Sequence, residues 1–237
     1  MNMSAPEREP IGLSCTACAV RPFSLCSALD NDELLELGLL SRYIHFGAGE
    51  TVFAQEEMAG SFFNVLDGVM RLYKLLPDGR RQIVGFALPG DFLGMAASAR
   101  HNLSADAIGP VVVCRFARVS FAHFIENRPH LLRRIHELAV RELSAAQDHM
   151  VLLGRRHADE KVASFLVGWS NRLLRIRCPS AMLPLPMSRQ DVADYLGLTI
   201  ETVSRTLTKF ERDGLIEIVP GGVLVLDRQR AESLAAA

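Results

Sequence analysis

Five cysteines stand at positions 15, 18, 26, 114 and 178, and three of them fall within twelve residues as Cys15-x2-Cys18-x7-Cys26. Thiolates are soft ligands and redox groups, so clustered cysteines point to metal binding or thiol chemistry before a disulfide framework. A tetrahedral centre needs four ligands, and three are present in this segment. Cys114 closes the apolar run Val111–Cys114 and supplies a fourth if that strand runs beside the N-terminal segment. No histidine lies within residues 1–28, which disfavours a mixed Cys/His zinc site and leaves an iron–sulfur cluster or an all-thiolate zinc. The bland alternative for Cys114 alone is a buried core thiol. Cys178 sits beside Pro179 in a connector and reads as incidental.

A second chemistry-bearing stretch lies near the C-terminal end. Ser188–Leu196 reads as a short helix capped by Ser188, with Val192, Ala193 and Leu196 turned inward and Gly197 ending it. Leu198 fills the corner, and Thr199 caps a second helix from Ile200 to about Asp213, with Val203, Leu207 and Phe210 inward. Gly214 stops it. Leu215–Val219 and Val223–Leu226 then flank Pro220-Gly221-Gly222 as a hairpin, so the segment reads as a winged helix-turn-helix. The second helix exposes Glu201, Thr202, Ser204, Arg205, Thr208 and Lys209. Arg205 can donate two hydrogen bonds to guanine, Glu201 can accept from cytosine, and Ser204 can reach a base or a phosphate. An exposed i,i+4 Glu–Arg pair that only stabilises its own helix is the competing reading, as is a winged helix that docks protein instead of DNA.

The elements that must position these groups follow from periodicity. Asn31–Leu40 reads as a short helix capped by Asp30 or Asn31. Between Arg42 and Val119, short strand-like runs (Glu50–Ala54, Ser61–Leu66, Met70–Leu76, Gln82–Leu88, Ala105–Ile108 and Val111–Phe116) alternate with Gly turns such as Asp67-Gly68 and Pro77-Asp78-Gly79. That spacing predicts a small antiparallel sandwich or barrel. A long helix is expected over His130–His157. On it His136, Ala139, Leu143, Ala146, Met150 and Leu153 recur at spacings of three and four, the seam of a coiled-coil-like dimer. Another helix is expected from Ala158 to about Arg175, followed by a break at Cys178-Pro179-Ser180.

The chain has 237 residues, 49% of them hydrophobic and 22% charged, which is globular usage and excludes a disordered or collagen-like chain. No run approaches the roughly 18 apolar residues of a membrane helix, so no membrane partner is expected. Met1–Pro10 lacks the apolar region of a signal peptide, and a cytoplasmic, reducing environment is expected. Neither G-x-S-x-G, a phosphate loop nor H-E-x-x-H occurs, and no βαβ pattern surrounds Cys15-x2-Cys18. An enzyme, including a thiol oxidoreductase, is therefore not expected. The net charge of −1 is a sum of −3 over residues 1–150 and +2 over residues 151–237, so a near-neutral total does not exclude DNA.

Taken together, Gly90–Gly94 (GDFLG), Ala158–Leu166 (ADEKVASFL) and Leu198–Arg205 (LTIETVSR) resemble the CRP–FNR superfamily of bacterial transcription regulators. The likeness runs from about Leu13 to Leu234. It implies an α+β fold: an N-terminal antiparallel β-roll of the cyclic-nucleotide-binding kind, a long dimerisation helix and a C-terminal winged helix-turn-helix. The corresponding segments are 1–28 (cysteine-rich), 29–126 (β-roll), 127–157 (dimerisation helix) and 158–237 (DNA-binding).

The cysteine placement is similar to the oxygen-sensing branch that contains the fumarate and nitrate reductase regulator. That resemblance implies a 4Fe-4S cluster on Cys15, Cys18, Cys26 and Cys114, although the gap between Cys18 and Cys26 is longer than in the enteric form. It implies a homodimer that contacts RNA polymerase and reads a TTGAT-type palindrome through Glu201, Ser204 and Arg205, with Thr199 and Thr202 beside them. Cyclic-nucleotide-binding relatives carry an Arg-Ser pair where this chain has Leu103-Ser104, and haem-binding relatives carry a histidine where it has Met95-Ala96-Ala97. Neither ligand is expected. With Ala146 and no buried acid in the seam, a substantial dimer is expected even without the cluster.

Overall fold

The computed structural model describes residues 15–95, 98–176 and 182–236. The acidic, proline-containing start of the chain, Ala96-Ala97 and the Cys178-Pro179-Ser180 break lie outside the described residues. The described chain forms two compact units. One comprises residues up to Leu75 with Phe86–Val140, and the other Leu76–Gly85 with the residues from Arg141 onward.

The first unit begins with three 3-10 turns, Cys15–Ala17, Arg21–Phe23 and Leu25–Ala28, and the helix α1 (Asn31–Leu40). Asp30 caps α1, accepting from Glu33 N at 2.9 Å, while the Glu33 carboxylate accepts from Asp30 N at 3.1 Å. Eight strands follow: β1 (Ser41–Phe46), β2 (Thr51–Phe53), β3 (Ser61–Asp67), β4 (Met70–Leu75), β5 (Arg81–Ala87), β6 (Phe92–Leu93), β7 (Ser104–Ala107) and β8 (Val111–Ala117). They make two four-stranded sheets, β1-β8-β3-β6 and β2-β7-β4-β5. The helices α2 (Arg118–Glu126) and α3 (Pro129–Arg155) come next. The strand-like runs of the sequence are all present. Two strands, β1 and β6, and the helix α2 are additions. Charged and polar residues interrupt β1, β6 is two residues long, and no side chain caps α2.

β8 runs between β1 and β3, and its two faces serve two cores. Val111 and Val113 pack with Phe53, Val65, Met70 and Ala105 between the sheets. Cys114 and Phe116 face the other way, into a core with Leu25, Leu34, Leu37, Phe121 and Leu131. A strand buried on both faces reads as a continuous apolar run, and its period of two decides which residue goes where. Arg128 fastens this second core. Its guanidinium lies over the Phe124 ring at 3.9 Å, pairs with Glu33 at 3.3 Å and also meets Glu36.

In the second unit, α4 (Ala158–Arg175) leads to β9 (Leu183–Pro184), α5 (Arg189–Leu196), α6 (Ile200–Arg212), β10 (Ile216–Val219), β11 (Gly222–Val225) and α7 (Arg228–Ala236). The sheet order is β10-β11-β9, so the expected wing hairpin has a third strand. Trp169, the lone tryptophan, donates to Pro184 O at 2.7 Å and anchors β9 to α4. His149 of α3 stacks on Tyr195 of α5, ring centroids 4.2 Å apart, and Tyr195 in turn tilts against Phe165.

Burial holds the His149 imidazole below its ordinary value of 6.5, with nearby Lys161 acting in the same sense and a backbone hydrogen bond at Tyr195 opposing. The folded state therefore binds fewer protons than the unfolded chain as the pH falls through the ordinary histidine range. The stability that depends on neutral His149 is present above about pH 6.5 and lost below it. Urea unfolding followed by Trp169 fluorescence should show this loss, and His149→Phe should flatten it. An unchanged pH slope in the variant would disprove the role of His149.

Candidate metal centre and nucleic-acid interface

The first and third 3-10 turns pack Cys15 and Cys26 against the core that contains Cys114, and Cys18, between the first two turns, lies near enough for its charge to act on all three. Ser24 caps the third turn, accepting from Cys26 N at 3.2 Å. Arg21 pins the segment by donating to Leu29 O at 2.9 Å and Asn31 Oδ1 at 3.3 Å. Phe23 packs on the Gly90 turn. A Cβ on Gly90 would come within 2.5 Å of the Phe23 ring, and Gly90 has φ +93°. Glycine is required there by both conformation and space.

Cys114 is buried, and the other three thiols are half-buried. All four are free, and Cys15, Cys26 and Cys114 each feel the charge of others in the group. Burial is the largest influence on three of them. It raises Cys15, pushes Cys26 up to about 11 and Cys114 up to about 12, and the neighbouring thiols add to the effect. Hydroxyls oppose it: Tyr43 hydrogen-bonds to Cys15, and Ser41, whose single hydroxyl proton goes to Gly38 O at 2.9 Å, lies beside Cys15 and Cys114. Tyr43 lies opposite Cys114 across the β1–β8 ladder. Burial and the surrounding thiols push its phenol well above the usual range. The sequence reading missed Ser41 and Tyr43, because β1 carries no clear strand signal.

These four residues fit a thiolate-ligated group by donor chemistry: four sulfurs, with the Tyr43 and Ser41 hydroxyls beside them. Among the described residues no three His, Cys, Asp or Glu side chains are grouped so that they could hold a metal ion as they stand.

In α5, Ser188 Oγ accepts from Asp191 N at 3.0 Å, and the Asp191 carboxylate accepts from Ser188 N. Val192, Ala193 and Leu196 are buried as expected, and Gly197 ends the helix at φ +62°. Thr199 caps α6, accepting from Thr202 N at 3.2 Å. Val203, Leu207 and Phe210 point inward with Thr206. Glu201 and Arg205 are exposed, and Ser204 and Thr202 are half-buried, so the residues assigned to bases share an accessible face. Backbone hydrogen bonding at the helix start, then Thr199, holds the Glu201 carboxyl below its usual value, which keeps it an acceptor.

Along α3, His136, Ala139, Leu143, Ala146 and Met150 are exposed, whereas Leu153 is half-buried near Gly197.

Residues 185–216 match the model for bacterial regulatory proteins of the crp family, and residues 43–128 match the cyclic nucleotide-binding domain. The chain is 67% identical to the nitrogen fixation regulation protein FixK of Bradyrhizobium diazoefficiens, over 97% of both chains. It belongs to the CRP–FNR family of bacterial transcription regulators. The transcriptional activator protein FnrL of Cereibacter sphaeroides is 35% identical over 86% of this chain and 84% of its own. The solved structure of FixK2 from Bradyrhizobium japonicum superposes with a TM-score of 0.78 at 38% identity, covering 83% of this chain and 98% of that one. Like its family, this CRP–FNR member is a DNA-binding transcription regulator and not an enzyme. No helix among its described residues is long and apolar enough to cross a membrane.

In this regulator Ser104 of the β-roll is already engaged, accepting from Gln55 N at 2.9 Å, and Arg71 pairs with Asp106 at 3.3 Å. Replacing Gly90 by alanine should separate Phe23 from its turn and destabilise the metal-free protein by roughly 1–3 kcal/mol. Thermal unfolding measures this, and an unchanged midpoint would show that the Phe23 contact does not hold the segment.

Proposed function

We propose that this protein is an oxygen-responsive transcription activator for genes of anaerobic or microaerobic metabolism, working in the cytoplasm as a homodimer on palindromic DNA. The observation that carries the oxygen response is the meeting of Cys114, from the centre of a sheet, with three cysteines of the N-terminal turns. Cys15, Cys18, Cys26 and Cys114 would hold a 4Fe-4S cluster, which supplies sensitivity to oxygen when bound. The chain's own part is to bring the turns onto β8, exclude water from Cys114 and offer the Ser41 and Tyr43 hydroxyls to the sulfurs. The names of FnrL and of the FixK proteins support this regulatory setting.

For DNA, α6 enters the major groove with Glu201, Ser204 and Arg205 on base edges of a TTGAT-type half-site. Thr199 and Thr202 stand at the helix start, near the backbone. Two such helices, held about 34 Å apart by a dimer, match a palindrome. The exposed apolar residues Leu143 and Met150 of α3 support a dimer through that helix. RNA polymerase is the expected further partner of an activator. Cyclic nucleotide is not a proposed ligand, because Leu103 stands where an arginine is needed to neutralise a buried phosphate.

Protein purified without oxygen should contain iron and sulfide and absorb near about 400 nm, bleaching in air. Cys26→Ala should lose that absorption while keeping its fold by circular dichroism. A colourless protein with stoichiometric zinc would overturn the cluster and favour a zinc or thiol switch on the same scaffold. Arg205→Ala should lose about 1–3 kcal/mol of discrimination between the palindrome and a mutated half-site. Undiminished discrimination would show that the reading face is misassigned.

A further inference from the structure

The tip of the β4–β5 hairpin belongs to the same compact unit as the helix-turn-helix. Arg81 reaches two carboxylates of α5. Its guanidinium donates to Asp191 Oδ1 at 2.8 Å and to Asp194 Oδ2 at 2.8 and 3.0 Å. Gln82 adds a hydrogen bond from its side-chain amide to Asp194 O at 2.6 Å. The pairs are sheltered: the Arg81 side chain is 24% exposed, Asp194 15% and Asp191 4%. An arginine fork across two carboxylates is a directional contact, and shelter from solvent protects it from salt screening.

The contact matters because of what α5 does. In a helix-turn-helix the first helix crosses the DNA backbone while the second reads the groove. An unpaired Asp194 carboxylate beside the start of the reading helix would repel nearby phosphates. An open cleft beside Arg80 and Arg81 is walled on its far side by Gln190, Asp194, Thr199 and Thr202, so Asp194 shares its surroundings with the start of the reading helix. Meanwhile Glu201 and Arg205 stay exposed with the contact in place. The hairpin tip therefore leaves the reading face open and does not cover it.

We infer that Arg81 is a positioning residue for DNA binding: it sets the orientation of α5 and masks the charge of Asp191 and Asp194 from the approaching phosphates. Neither effect requires Arg81 to touch DNA. The inference rests on the assignment of α6 as the reading helix. Asp191 also belongs to the capping box of α5, so Asp194 is the partner to vary.

The test is a titration of a fluorescent palindromic duplex with the full chain, at two salt concentrations. Arg81→Ala should weaken binding roughly tenfold, with a larger share of the loss at low salt, where an unmasked carboxylate repels phosphate most. Arg81→Lys should restore part of the affinity, because it returns the charge without the fork. Adding Asp194→Asn to Arg81→Ala should recover most of it, a rescue that mere loss of packing would not show. Binding by Arg81→Ala that equals or exceeds the parent, while Arg205→Ala loses discrimination, would overturn the inference. If Arg205→Ala keeps full discrimination, the reading face falls and this inference with it. Should Arg81→Ala not fold, a folded Arg81→Lys with parental affinity at both salts and no dependence on Asp194 would overturn the inference equally.

Discussion

A strand residue cannot choose its face independently of its neighbours. In β8 that constraint decides the arrangement of the first unit. Val111 and Val113 must enter the core between the sheets, so Cys114 and Phe116 must enter the core on the opposite side. That opposite side is bare until something covers it. The covering is made of the cysteine-bearing turns, α1, α2 and the first turns of α3, through Leu25, Leu34, Phe121 and Leu131. A one-residue slip of β8 would send Cys114 between the sheets and turn valines toward the turns. The meeting of the four thiols is thus a consequence of sheet register as much as of the cysteines themselves.

This explains what the sequence makes legible. The run Val111-Val112-Val113-Cys114 reads as a doubly buried strand, and the N-terminal spacing reads as three ligands seeking a fourth. The helices with strong caps, α1, α5 and α6, were legible because Asp30, Ser188 and Thr199 each stand one residue before a helix that carries an apolar stripe. What escaped lacks such local signals. β1 alternates Arg42 and His45 with apolar residues and gains its identity from pairing with β8. α2 begins after Ala117, which offers no capping side chain. Leu183-Pro184-Leu185-Pro186 reads as extended, but its pairing with β11 as β9 does not, since it depends on Gly222 letting the two strands approach. The Arg81 contact joins positions 110 and more residues apart, and no window of sequence reports such a pairing.

The raised thiols also bear on how the cysteine segment behaves without a bound group. Cys26 at about 11 and Cys114 at about 12 are protonated at neutral pH, hence poor nucleophiles and quiet partners in a hydrophobic core. Ligation requires their protons to leave, at a cost set largely by burial. The hydroxyls of Ser41 and Tyr43 reduce that cost by favouring the charged sulfur.

Charge completes the connection between the two ends of the chain. Counted by residue, positions 151–237 are only slightly basic, which would suit DNA weakly. Ion pairs inside the unit leave that balance unchanged, because each takes one cation with its acid. Asp159 holds Lys209, Glu232 holds Arg228, and Glu211 accepts from the wing at Ile218 N. Arg81, brought from more than a hundred residues earlier, sets one positive charge against the two carboxylates of Asp191 and Asp194. What remains on the reading helix is a mixed face in which Glu201 and Arg205 can each find a base partner. On the proposed reading, phosphate attraction would be modest and selection between sequences would fall to a few directional contacts repeated by the symmetry of a dimer.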